Sequence, residues 1–342
     1  MMTSNFPDAF RLQARARLPE PEECLRHFVD HLKEHDGEIE EQAGVFLVTL
    51  PDVRGRIWCQ NGLLHVDSAV GDAETAYFVR NWLGNVFRHL AGEEPVQVDW
   101  EENSGAGLLP PSFSILKVAA LHKPTPRMMR ITLNCPDAAR FDRRDALHVQ
   151  VLVNFAEVAA AGSELHIPPT WRRYTVRRVD RIENTIDIDV FLHGESGPGA
   201  AWVRDLRVGD LVGVAGPSGG GIGAAERFLI AGDETALPAI ARIMDLLPRQ
   251  CHGEVLVEAG EDVEPLLPDM PERFRLSSLA RRDDACSALE DAIRAALADK
   301  PAEKTFVWVA CEAAAATRIR KFVRTIAERD SLDHLIAGYW KR

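Results

Sequence analysis

The last third of the chain alternates between two kinds of segment. That alternation narrows the possible folds more than any other feature of the sequence. RFLIAG, GEVLVEAG and TFVWVAC are short apolar runs. Each is followed by a stretch whose apolar residues recur at helical spacing: TALPAIARIMDLL, CSALEDAIRAALADK and AAAATRIRKFVRTIAER. Strands separated by helices of this length pair in parallel, with helices covering the sheet. The block from 226 to 342 is therefore predicted as an open parallel α/β nucleotide-binding domain. Ligands of such sheets sit at the carboxyl ends of the strands.

The preceding block, 113 to 222, has a different rhythm. SILKVAALHK, RMMRITLNC, LHVQVLVNF, RRYTVRRVD, TIDIDVFLH and DLVGVAG are six short alternating segments separated by turn residues. That spacing predicts a six-stranded antiparallel β-barrel. Before it, EENSGAGLLPPS (101–112) is acidic and then rich in glycine and proline, as a linker is. Residues 1 to 105 read as a small α+β domain. PEECLRHFVDHLKEHDG and DAETAYFVRNWLGNVFRHLAG are amphipathic helices, and GVFLVTLPD, GLLHVDSAV and VQVDW are strands. A length of 342 residues suits such a multidomain α+β and α/β chain.

Charge and cysteine usage exclude several function classes. A net charge of −12, from 52 acidic and 40 basic residues, argues against a nucleic-acid binder. The six cysteines form no CxxC pair and show no zinc or iron–sulfur spacing, so no metal site is expected. No apolar run approaches the roughly 18 residues that a membrane span needs, and the N-terminal residues have no signal-peptide core. A cytoplasmic protein is the expectation. GxSxG, HExxH and GKS/GKT are all missing, which leaves hydrolase and P-loop readings without support.

Against this acidic background WRRYTVRRVD (171–180) stands out for its arginines. On a strand, Arg172, Tyr174 and Val176 share one face, and Arg173, Thr175 and Arg177 the other. A fixed cation beside a flat ring and a hydroxyl suits a dinucleotide. HGESGPGAAWVRDL (193–206) adds a glycine-rich turn running into a helix start, where backbone amides approach phosphate closely. In IAGDETALPAI (230–240) an apolar strand ends at Gly232. Thr235 then opens a helix with Pro238 in its first turn. GPSGGGIGAAE (216–226) imitates a dinucleotide fingerprint, but a strand follows it instead of a helix, so it reads as a joint.

Taken together and in order, LHVQVLV, RRYTVR, FLHGESGPGAAW, GDETALPAI, WVACEAAAATRIRKF and GYWKR give the chain its likeness. From about 113 to 342 it resembles the siderophore-interacting proteins, FAD-dependent ferric-siderophore reductases of the ferredoxin-reductase superfamily. FRHLAGEEPVQVDW resembles a small domain of unknown function found fused to or near them. The resemblance implies FAD and NAD(P)H as cofactors and a ferric siderophore as substrate, with no metal ligand from the protein. Arg172 then grips the pyrophosphate, Tyr174 stacks on the flavin ring, and Thr175 bonds near its N5. His148 and Val149 match the flavin-side histidine motif. His193, Gly194, Gly197, Gly199, Ala200, Ala201 and Trp202 line the phosphates and adenosine. Gly232, Asp233, Thr235, Ala236 and Glu312 take the nicotinamide nucleotide, and Tyr339 and Trp340 close over it.

This chain departs from the family pattern at two positions. Gln150 stands where a lysine usually follows the histidine, and Cys311 stands where a glycine usually precedes Glu312. Two other readings therefore stay open. One keeps the fold with another acceptor, such as a quinone, a flavin or a protein partner. The other is a non-catalytic protein that binds flavin or an iron chelate. Glu258 and Glu261, at the end of the second α/β strand, suit a ribose diol better than a 2′-phosphate, which favours NADH. Arg143, Arg144, Arg173, Arg177 and Arg178 are candidates for a basic rim toward an anionic chelate.

Overall fold

The structure is a computed structural model. It describes residues 10–34, 37–50, 52–92, 95–101, 109–161, 167–192, 197–259, 266, 270–281, 288–298, 304–327 and 332–341. The chain divides into two compact units, 1–113 and 114–342.

The first unit runs β1 (Phe10–Arg17), α1 (Pro21–Glu34), β2 (Glu38–Gln42), β3 (Val45–Leu50), β4 (Val53–Gln60), β5 (Leu63–Val70), α2 (Ala73–Ala91) and β6 (Gln97–Trp100). Its strands form one antiparallel sheet in the order β2-β3-β4-β5-β1-β6. Alternation fixes which face is buried. Ala14 and Ala16 of β1 pack with Phe28 and Leu32 of α1 and Phe87 of α2, and Leu12 packs with Val70 of β5 and Ala76 of α2. Arg11, Gln13, Arg15 and Arg17 take the opposite face. Asp72 caps α2, its carboxylate accepting from the Thr75 amide at 2.8 Å.

In the second unit the barrel comes first: β7 (Ser114–Thr125), β8 (Met128–Asn134), β9 (His148–Leu152), α3 (Phe155–Ala161), β10 (Trp171–Asp180), β11 (Thr185–Phe191), α4 (Pro198–Asp205) and β12 (Leu211–Ser218). The six antiparallel strands close in the order β10-β11-β8-β7-β12-β9, as the sequence predicts. Ile131, Leu133, Val149, Val151, Ile186 and Ile188 fill the interior. Each such side chain contributes about 1.5–3 kcal/mol on burial.

The α/β half follows: β13 (Arg227–Asp233), α5 (Leu237–Leu246), β14 (His252–Glu258), β15 (Phe274–Leu279), α6 (Ala288–Ala298), β16 (Thr305–Glu312), α7 (Ala313–Ala327) and β17 (Leu332–Trp340). Its parallel sheet has the order β15-β14-β13-β16-β17. The three expected strands form its centre, and β15 and β17 flank them. Phe228, Ile230 and Trp308 pack under α5, in a core that also takes in Met128 and Leu147 from the barrel half. Leu229, Val307 and Val309 pack under α6 and α7. The two halves are also tied by ion pairs, Arg242 to Asp142 at 3.0 Å and Arg177 to Asp245 at 2.6 Å. The glycine-rich joint at 219–226 contains no helix and leads directly into β13.

Candidate functional site

β10 organises the site because it serves both of its neighbours. Its antiparallel register with β9 sets Arg172 opposite Val151, Arg173 opposite Gln150, Tyr174 opposite Val149 and Thr175 opposite His148. Directly opposed residues share a face, so two rows result. Tyr174 joins Val149 at the barrel core. Thr175 joins His148, Gln150 and Arg173. The pairing shifts at Arg177, which leaves Thr175 and Val176 both buried and interrupts the simple alternation read from sequence.

On the first row Tyr174 meets α4. Its ring stacks on Trp202, with centroids 5.9 Å apart and planes 27° apart. A Cβ at Gly199 would sit 2.6 Å from the Tyr174 hydroxyl and 3.9 Å from Arg172 Cγ. Glycine is what allows the helix start to approach this strand. Gly197 precedes Pro198 at the head of α4 and supplies no side-chain cap. The first-turn amides, including those of Gly199 and Ala200, thus lie beside Arg172, whose side chain is exposed. Burial pushes the Tyr174 phenol up to about 12, the nearby Arg172 opposing it, so the ring stays neutral. Ala201 faces solvent. His193 and Gly194 lie outside the described residues.

The second row faces the end of β17. His148 Nε2 and the Tyr339 hydroxyl are 2.6 Å apart, and the two rings meet edge-on at 5.7 Å. Tyr339 also bonds the Thr175 side chain. Burial, and secondarily the Arg173 guanidinium, push the His148 imidazole down to about 3. It is neutral at physiological pH. Two buried polar atoms here have no partner among the described residues, His148 Nδ1 and Ser218 Oγ. They belong to register partners on β9 and β12. Buried polar atoms are rarely left unsatisfied, so this pair calls for a polar partner, a water or a ligand. With its amide oxygen turned toward Arg173, Gln150 accepts from Nε at 3.3 Å and Nη2 at 3.1 Å. A cation therefore stands beside Gln150 on the neighbouring strand. Of the other rim candidates, Arg143, Arg177 and Arg178 are each held by a carboxylate, Asp145, Asp245 and Asp180.

The third cluster lies at the carboxyl ends of β13 and β16. Asp233 accepts from the Thr235 amide at 2.9 Å and hydroxyl at 2.6 Å, and from Trp340 Nε1 at 2.7 Å. Gly232 permits a close turn, since a Cβ there would lie 2.4 Å from the Ala236 Cβ and 2.7 Å from the Ala310 carbonyl. Glu312 caps α7 through the Ala315 amide at 3.0 Å. The Cys311 side chain packs with Ala315, Ala316 and Ile319, in the core under α6 and α7. That is the sheet face opposite Trp308 and Ala310. Burial first, then nearby carboxylates led by Asp233, push its thiol up, so it is protonated. Glu258 is buried and accepts from the Ala288 amide at 2.9 Å. Glu261 lies outside the described residues.

The site thus holds a cation, a flat ring and open helix amides on one row. Unsatisfied polar atoms and a buried hydroxyl pair lie on the other. This donor set fits a flavin dinucleotide. Comparison with known proteins agrees. Residues 117–221 match the siderophore-interacting FAD-binding domain, and residues 225–342 match the siderophore-interacting protein model. The ferric vibriobactin reductase of Vibrio cholerae is 30% identical over 231 residues, 63% of this chain and 84% of that protein. The chain belongs to the siderophore-interacting protein family. A ferric acinetobactin reductase from Acinetobacter baumannii is 29% identical over 177 residues, 51% of this chain and 61% of its own. Among solved structures, a siderophore utilization protein from T. fusca is similar at TM-score 0.54. It is 30% identical, and the match covers 67% of this chain and 93% of that one. The siderophore-interacting protein of Acinetobacter baumannii, at 24% identity and TM-score 0.57, shares the fold over 67% of this chain and 90% of its own.

Both matches fall within the second unit. The second row gains one residue not expected from sequence, Ser218, and two contacts between residues that were. Ser218 and the Arg173–Gln150 contact depend on strand register. The His148–Tyr339 bond joins residues 191 positions apart. None of these leaves a local signal. Among the described residues no cluster of three or more potential ligands is arranged for a metal ion, and no helix is long and apolar enough to cross a membrane.

Proposed function

We propose that the protein is an FAD-dependent reductase with NADH as its reductant and a ferric siderophore as its oxidant, releasing Fe(II) in the cytoplasm. The observation that carries this is the double use of β10. Arg172 and Tyr174 meet the α4 amides on one row, while Thr175 lies beside the unsatisfied His148 and Ser218 atoms on the other. The relatives named as ferric vibriobactin and ferric acinetobactin reductases support the substrate class.

Bound FAD supplies a ring that takes up electrons in pairs and gives them up singly. In this reading the protein's own residues bind, orient and exclude water. Arg172 gives the pyrophosphate a permanent cation, and the first turn of α4 adds amide donors. Tyr174 offers a neutral ring for stacking. Thr175, oriented by Tyr339, donates its hydroxyl toward the ring nitrogen. Neutral His148 provides Nδ1 to the same polar edge. Trp340, fixed by Asp233, and Tyr339 cover the nicotinamide side, which Gly232, Ala236 and Glu312 line. Glu258 stands at the end of β14, where a ribose diol is the compatible neighbour.

The test is an anaerobic absorbance spectrum of the purified protein. A flavin band that bleaches with NADH and recovers on adding a ferric siderophore, as an Fe(II) trap colours, is the expected result. A bound flavin that stays oxidised with both NADH and NADPH sinks the proposal. Gln150, which replaces the usual lysine, motivates one competing acceptor class. Recovery with a quinone or free flavin but not with the ferric chelate would decide for that class.

A further inference from the structure

The first unit covers one sheet face with α1 and α2 and leaves the other to polar residues. Register places these in two rows across the central strands. Arg56, Asp67 and Gln13 form one, and Trp58, His65, Arg15 and Asp99 the other. Between them lies a cavity of about 250 Å³, lined by both rows and by Glu101. Drug-sized sites run to roughly 300–1,000 Å³, so this one has room for a single substituted ring.

The cavity floor is already ordered. Asp67 is buried and held by two arginines, Arg11 at 2.9 and 2.7 Å and Arg56 at 3.1 and 2.9 Å. Two cations share this one carboxylate, and Asp99 and Glu101 offset the surplus charge across the cavity. The Nη1 groups of both arginines bond nothing among the described residues. The Arg56 guanidinium also lies 5.2 Å from the Trp58 ring centre. Trp58 stacks on His65 at 5.0 Å with planes 14° apart. A cation thus lies over the Trp58 ring, against which His65 also stacks. On the opposite wall Arg15 bonds Glu101 at 3.0 Å, with both side chains about half exposed. Such a pair is worth little and exchanges partners easily. Arg15 can turn to a ligand anion while Glu101 and Asp99 accept from ligand donors.

We propose that this face binds a small hydroxylated aromatic acid. Its ring lies against Trp58 and His65, its carboxylate on Arg56 and Arg15, and its hydroxyls on Asp99 and Glu101. The assignment rests on the first unit alone and does not depend on the flavin reading.

The experiment is calorimetric titration of the FAD-loaded full-length protein with 2,3-dihydroxybenzoate, benzoate and catechol. Saturation-transfer NMR on the same samples reports ring contact. One dihydroxybenzoate per chain is expected, with benzoate and catechol each at least tenfold weaker. Trp58→Leu and Arg15→Gln should each weaken dihydroxybenzoate at least tenfold, with an unchanged melting temperature and flavin content. No binding of any probe at millimolar concentration overturns the proposal. Binding that survives both substitutions in folded protein overturns it too. Equal affinity for benzoate and dihydroxybenzoate removes the role given to Asp99 and Glu101, and the hydroxylated class with it.

Discussion

At Gly199 one missing methyl group bears directly on the candidate flavin cradle. This glycine sits in the first turn of α4, and a Cβ there would lie 2.6 Å from the Tyr174 hydroxyl. Tyr174 cannot easily retreat, because Trp202 stacks on its ring. Gly199→Ala should therefore push Tyr174 and the helix start apart, an overpacking cost of about 1–3 kcal/mol. If the cradle is the flavin site, that cost appears as weaker flavin binding, roughly 5- to 150-fold. The flavin-to-protein absorbance ratio after purification, with a melting curve as control, measures it. A folded Gly199→Ala protein with full flavin content would refute the placement. The small residues of this turn were legible in HGESGPGAAW as a helix start suited to phosphate. That Tyr174 is what Gly199 must clear was not, since it depends on how β10 and α4 meet.

The strands show why some elements were legible and others were not. Most barrel strands mix buried and more exposed positions, so alternating apolar residues mark them, although β9 is buried at every position. RFLIAG, GEVLVEAG and TFVWVAC are buried on both faces and read as apolar runs. The strands missed were those with weaker contrast. β2 reads EIEEQ, an edge strand with charged residues, and β15 reads FRLSSL, an edge with two serines. β17 contains Gly338 and ends the sheet on its other side. β1 and β4 are different: FRLQARAR alternates with small apolar residues and VRGRIWCQ alternates around Gly55, so neither stands out as an apolar run. Register within the barrel also buries charge. Arg130 of β8 lies opposite Asp189 of β11 and bonds it through two contacts of 2.7 Å. The Asp189 side chain is 2% exposed and that of Arg130 28%. Asp189→Asn leaves the cation underpaired in the barrel wall and should cost about 3 kcal/mol, the low end for a buried pair because Arg130 reaches water. Urea unfolding of the second unit reads this directly. A loss under about 1 kcal/mol would mean that the pair behaves like a surface one.

On the scale of the whole molecule, the two units carry different buried titrating groups. In the first, burial alone would raise the Asp67 carboxyl, but hydrogen bonds from Arg11, Arg56 and Gln13 outweigh it and hold the group below its ordinary value. The stability this contributes is present above the unfolded value of about 3.9 and is lost as pH falls through the folded one. In the second unit His148 is depressed to about 3 by burial and by Arg173. The unfolded chain takes up this proton below about 6.5, whereas the folded chain refuses it down to the lower value. The His148 contribution is therefore complete above about pH 6.5 and erodes below it, by at most about 1.4 kcal/mol per pH unit. The order of acid sensitivity follows: between pH 7 and 5 His148 weakens the second unit, while Asp67 leaves the first unchanged. Each unit has its own cores, so calorimetry of the flavin-free chain should resolve two transitions. Replacing His148 by Gln should flatten the drop of the second-unit transition across this range and leave the other where it was. If the substitution leaves the pH dependence of both transitions unchanged, His148 is protonating in the folded protein near its ordinary value. The imidazole would then not be the neutral, buried partner of Tyr339 on which the second row of the site depends.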